Sequence, residues 1–168
     1  MIWKLLGTLI LLGAGGYVSV TVNRFERRRL WVLDGYIALI HHIKSRIDCY
    51  AMPIPDILAG ADPALIAACL GEDTPDTSRG TDGCGYLPLA AMIRESSPYL
   101  EAESERLLTA FTEELGTAFR AEQVARCEYY LEALTRRRGI LADALPARLR
   151  VGSTLCMCCA AAATILLW

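Results

Sequence analysis

The residues best able to do chemistry in this chain are few and badly placed for it. Nucleophilic catalysis needs a serine or cysteine within reach of a histidine base. The two histidines, His41 and His42, are adjacent. Neighbouring positions on a helix point to different faces, and chelation along a helix wants a spacing of four. A solvated or partly packed histidine is the reading they support. The seven cysteines are Cys49, Cys69, Cys84, Cys127, Cys156, Cys158 and Cys159. Their number is odd and their spacing irregular, so a disulfide framework is not expected. In a reducing compartment most of them serve as small apolar residues. Cys156, Cys158 and Cys159 form a cluster for which a soft metal or an acyl group is the alternative to packing. Glu113, Glu114 and Glu122 read as surface carboxylates. The Asp/Thr/Gly-rich stretch at 71–85 lacks the acidic spacing and closing glutamate of a calcium loop. No glycine-rich phosphate loop is present. The sequence therefore predicts a protein that is not an enzyme, with no cofactor, no metal and no small-molecule substrate.

The elements that position these residues follow from where charge is absent. Mean hydropathy is +0.31, and the apolar excess sits at the two ends. Leu5–Asn23 carries no charge, with Lys4 before it and Arg24 after. That is about the length that crosses a bilayer as a helix. A cleaved signal peptide is the competing reading, but the apolar core is long for one, and the run Arg24, Arg27, Arg28, Arg29 opposes export of the segment behind it. Val151–Trp168 is also uncharged and comes after Arg148 and Arg150; a buried C-terminal helix is its alternative. The positive-inside rule then places residues 24–150 in the cytoplasm and both termini across the membrane. The expected domains are a transmembrane helix at 1–23, a cytoplasmic helical domain at 24–150 and a transmembrane helix at 151–168. Gly15/Ser19 and Gly152/Cys156 are small-residue pairs that would let the two spans approach. A net charge of −2 argues against nucleic acid.

Between the spans every periodic stretch has helical spacing. Leu30, Leu33, Ile37, Ile40 and Ile47 mark one face of a long helix that Pro53 and Pro55 end. Asp56 and Pro55 suit the first turn of a short helix. Asp62-Pro63 suits a cap and first turn, with Gly71 closing that helix. Another helix is expected over Leu87–Arg94. Ser97 or Ser104 is expected to cap the one that buries Leu108, Phe111 and Leu115. Gly116 makes a corner in the left-handed conformation, Thr117 can cap the next helix, and Gln123 lies within reach of the corner. Val124, Cys127, Leu131 and Leu134 continue the inward face to Pro146, which is expected to end it. The fold class is all-α, two antiparallel helical hairpins on one core. The basic runs Arg24–Arg29, Arg136, Arg137, Arg138, Arg148 and Arg150 fit the positive-inside rule; anionic lipid headgroups or an acidic partner are the alternatives.

Three stretches carry a family resemblance. Tyr50-Ala-Met-Pro-Ile-Pro-Asp-Ile-Leu58 is similar to a Pro-Leu-Pro-Glu-Ala-Leu turn. The most specific is Leu108-Thr-Ala-Phe-Thr-Glu-Glu-Leu-Gly-Thr-Ala-Phe-Arg-Ala-Glu-Gln123, which leads to Tyr130-Leu-Glu-Ala-Leu134 and a short apolar end. In order and over nearly the whole chain, this resembles the stage III sporulation protein AB family. The resemblance implies a fold like the helical domain of type II secretion and type IV pilus platform proteins. It implies a place on the mother-cell side of the forespore envelope, in the channel complex of endospore formation. The implied partners are a secretion-type ATPase, other sporulation channel membrane proteins and membrane lipid, with a homo-oligomer left open. A membrane-anchored adaptor with no motor partner is the alternative function. The chain departs from the family pattern at Phe119, where an acidic cap is usual, and at Thr112, where glycine is usual. Its last span is rich in Cys and Ala, and the acidic loop at 71–85 replaces a more helical stretch.

Overall fold

The computed structural model describes residues 2–50, 53–72 and 88–167, with side chains described mainly between Gly16 and Gly152. The described residues form six α-helices and one 3-10 turn, in the order α1 (Ile2–Tyr50), α2 (Ile54–Ala59), α3 (Pro63–Leu70), α4 (Leu89–Ser96), the turn Ser97–Tyr99, α5 (Ala102–Glu114) and α6 (Arg120–Leu167). The fold is all-α, with no strand among them. The loop at 71–85 lies outside the described residues from 73 onward, Cys84 included.

By packing, the chain groups into a central unit, Arg28–Ile140, and a terminal unit made of Met1–Arg27 and Leu141–Trp168. The division at 1–23, 24–150 and 151–168 rests on solvent preference; the packing units rest on which stretches of backbone lie close together. No helix among the described residues is long and apolar enough to cross a membrane. The uncharged runs at 5–23 and 151–168 fall largely on residues whose side chains are not described, among them Gly15 and Cys156.

In the central unit α1 buries Val32, Leu33, Tyr36, Leu39, Ile40, Ile43 and Ile47. The spacing of three and four keeps them on one stripe. This stripe is turned from the expected one: Leu30 and Ile37 lie at its half-buried margin, while Val32, Tyr36 and Ile43 are at its centre. Along the partner stripe α6 buries Cys127, Tyr130, Leu131 and Leu134. The two helices run antiparallel here. Asp34 meets Arg138 and Lys44 meets Glu128, so ten residues forward on α1 is ten residues back on α6. Gly35 lets α3 approach α1; a Cβ there would lie 2.9 Å from the backbone of Ala68 and Cys69. Tyr36 joins α1 to α4, its hydroxyl 2.7 Å from the buried Ser96 Oγ, which itself lies 3.2 Å from the Ile93 carbonyl. Phe111 of α5 meets Tyr130 of α6 edge-on at 5.4 Å between ring centres.

The short helices end where their caps dictate. The Asp62 carboxylate accepts from the Ala64 amide at 2.9 Å, and Gly71 closes α3 with φ at +73°. Pro53 stands at the N-cap of α2, and Pro88 at that of α4. Neither expected serine caps α5. Glu101 holds that position, Ser104 is buried, and Ser97 donates to Glu105 at 2.9 Å. Pro146 does not end α6, which runs on to Leu167. A proline inside a helix removes one amide donor at a cost of about 3 kcal/mol. The alanines, leucines and arginines flanking it favour helix strongly enough to continue.

The terminal unit is described through fewer side chains. Arg148 approaches Glu26 at 3.9 Å, and a Cβ on Gly152 would lie 3.9 Å from Val22. These pairs also advance four residues against four, so the ends of α1 and α6 run antiparallel within this unit.

Candidate docking corner

Two of the stretches singled out by sequence meet in space. α5 ends at Glu114, and Gly116 turns the chain with φ at +85°. Only glycine takes that left-handed conformation without strain. A Cβ on Gly116 would lie 3.0 Å from the Ile54 side chain, so the Pro53-Ile54-Pro55 turn packs on the corner through its central isoleucine. The second link is ionic. Arg120, in the first turn of α6, donates to the Asp48 carbonyl and lies 3.3 Å from its carboxylate.

The corner is held by hydrogen bonds that sequence spacing does not assign. Thr117 donates to the Glu114 carbonyl at 2.7 Å. It therefore closes α5 behind it and does not cap α6 ahead of it; the residue at the N-cap position of α6 is Phe119, whose carbonyl accepts from the Gln123 amide at 2.9 Å. Arg126 binds Glu122 at 2.6 Å, approaches Glu114 at 3.7 Å and donates to Thr117 at 3.3 Å. The hydrogen bond to Glu122 keeps its guanidinium above the ordinary arginine range. Burial, then the charge of Glu114, pushes the Tyr130 phenol up. Phe111, Glu114, Leu115, Gln123 and Arg126 line a small open hollow beside the corner. Phe111 is buried and Leu115 half-buried, while Pro53, Pro55, Gly116 and Thr117 are exposed. Arg126 could have been found from its i,i+4 spacing to Glu122; nothing local pointed to Ile54.

The arginines lie elsewhere, and most of those with described contacts face acceptors in the same chain. Arg138 holds Asp34 with two nitrogens at 2.9 and 3.2 Å. Arg137 lies between Glu101 at 2.9 Å and Glu103 at 2.8 Å. Arg136 meets Glu132 one turn back. Arg28 stacks over the Tyr99 ring at 5.5 Å, and Arg29 donates to the Tyr99 carbonyl. Arg27 donates to Asn23. Arg24 and Arg150 are exposed. His41 is exposed and His42 half-buried. Cys69 is buried and its thiol is pushed up to about 12 by desolvation; Cys49, Cys158 and Cys159 are exposed.

A family model described as stage III sporulation protein AB matches residues 4–168. No curated protein and no solved structure matches.

Proposed function

Because the chain belongs to the stage III sporulation protein AB family, its role lies in sporulation, and we propose that it serves there as a non-enzymatic membrane platform that docks a cytoplasmic secretion-type ATPase. The observation that carries this reading is the contrast in burial along the long helices. In the central unit α1 and α6 each bury an apolar stripe, Val32 to Ile47 and Cys127 to Leu134, with Trp31, Tyr129 and Ile140 exposed beside it. In the terminal unit Tyr17, Val20 and Val151 are 75%, 53% and 67% exposed. Apolar groups on the outside of a helix pair are stabilised by hydrocarbon and not by water. The uncharged runs at 5–23 and 151–168 supply the length. The arginines at 24–29 and 148–150 support a cytoplasmic central unit on the mother-cell side. His41 and His42, adjacent and so on different faces of α1, support the non-enzymatic part of the reading.

The test is a titration of the full chain in lipid nanodiscs with the secretion-type ATPase of the same cell, with and without ATP. Saturable binding is expected. A folded, inserted chain that does not bind would move the role to an adaptor without a motor partner.

A further inference from the structure

Phe119 is the most exposed large apolar residue among those described, at 88%. It occupies the N-cap position of α6, where Asp, Ser, Thr or Asn would accept a hydrogen bond from the first turn. Its ring gives the helix no such bond and packs into no core. Exposed beside it on the corner are Gly116 and Thr117. Pro53 and Pro55 are exposed on the turn that the corner packs against. We infer that this turn and corner form one docking surface, taking a protein partner whose face offers an apolar pocket ringed by lysine or arginine.

Three observations support it. The surface is preorganised: proline fixes two backbone angles, Gly116 fixes the reversal, and Thr117, Arg126 and Arg120 tie both stretches in place. A rigid surface loses little freedom on binding. An aromatic anchor with a polar rim is the anatomy of an interface hot spot. Finally, the rim is acidic. Asp48, Asp56, Glu113, Glu114 and Glu122 outnumber Arg46, Arg120 and Arg126. Arg120 is engaged by Asp48, and Arg126 by Glu122 and Glu114. Asp56 and Glu113 are exposed and meet no cation among the described residues. A basic rim on the partner would complement them and speed encounter at low salt.

This inference rests on the platform reading and names its docking face. The experiment uses the full chain in nanodiscs, with the same ATPase as probe. Phe119→Ala should weaken binding by about tenfold or more. Asp56→Lys with Glu113→Lys should do the same and remove most of the salt dependence. Tyr129→Ala, on the exposed side of α6, should stay within about twofold of wild type. All these positions are exposed, so unchanged thermal melting checks that each variant is folded. If wild type binds and the corner variants bind equally well, the docking face is wrong and the platform stands. If wild type does not bind, both fall. If the corner variants abolish self-association of the chain while ATPase binding is unchanged, the occupant is a second copy and the stated partner is wrong.

Discussion

The same helix, α1, meets two kinds of surroundings. Between Val32 and Ile47 it buries Val32, Leu33, Tyr36, Leu39, Ile40, Ile43 and Ile47, with α3, α4 and α6 among its neighbours. Between Tyr17 and Phe25, Tyr17, Val20, Val22 and Phe25 are exposed. Charge and hydropathy already mark the two regions apart in the sequence, and burial shows where each apolar face goes. In the central unit the chain supplies its own apolar solvent. In the terminal unit it leaves apolar surface open, and under the proposed function that surface would take lipid as its solvent. Where the interior is closed, substitutions act through packing; where the surface is open, they act through the surroundings.

The largest expected effect breaks the closed region. Leu134 is fully buried, and Leu134→Ala should cost about 2–5 kcal/mol, measured by chemical denaturation; a loss under about 1 kcal/mol would mean that α6 does not close the core. Gly116→Val should cost at least about 1 kcal/mol, because a β-branched residue resists φ of +85°. An unchanged melting temperature would overturn the corner.

A third prediction concerns pH. Cys69 is neutral in the fold, and its thiol is raised from 9.0 to about 12. Unfolded, it releases its proton near pH 9, while the folded thiol retains its own. The unfolded state then binds fewer protons, so stability is whole below pH 9 and falls as pH rises toward 12. Between pH 8 and 9.5, before tyrosines titrate, the decline should be shallower in Cys69→Ala. Equal slopes would place Cys69 in water. The smallest effect belongs to the open region. Val20→Ser should leave unfolding of the central unit within about 0.5 kcal/mol and should weaken retention in a bilayer. A cooperative loss of stability in detergent-free buffer would show that Val20 packs within the protein.

Much of the fold is legible in the sequence because its signals are local. Asp62-Pro63 and Gly71 bound α3 with the cap contact and left-handed glycine that their types predict. Helical spacing locates the inward faces, but an apolar run such as Leu30–Ile47 allows several stripes, and only the packing of α3 and α4 selects the one centred on Tyr36. The reach of α6 through Pro146 is not legible, because one lost hydrogen bond is outweighed by the good helix formers around it. At the corner, Gly116 is readable from its type alone. The direction of the Thr117 hydrogen bond is not, since a hydroxyl between two helices can serve either. The meeting of Ile54 with Gly116 is long-range, and no local pattern encodes it.

The most direct test of the central claim is extraction of membranes from sporulating cells with alkaline carbonate, combined with labelling of Cys49 by an impermeant maleimide. Cys49 is exposed and lies in the central unit. The chain is expected to stay with the membrane pellet, and Cys49 to react only after the mother cell is opened. Release of the chain into the supernatant, or labelling of Cys49 in intact cells, would contradict it.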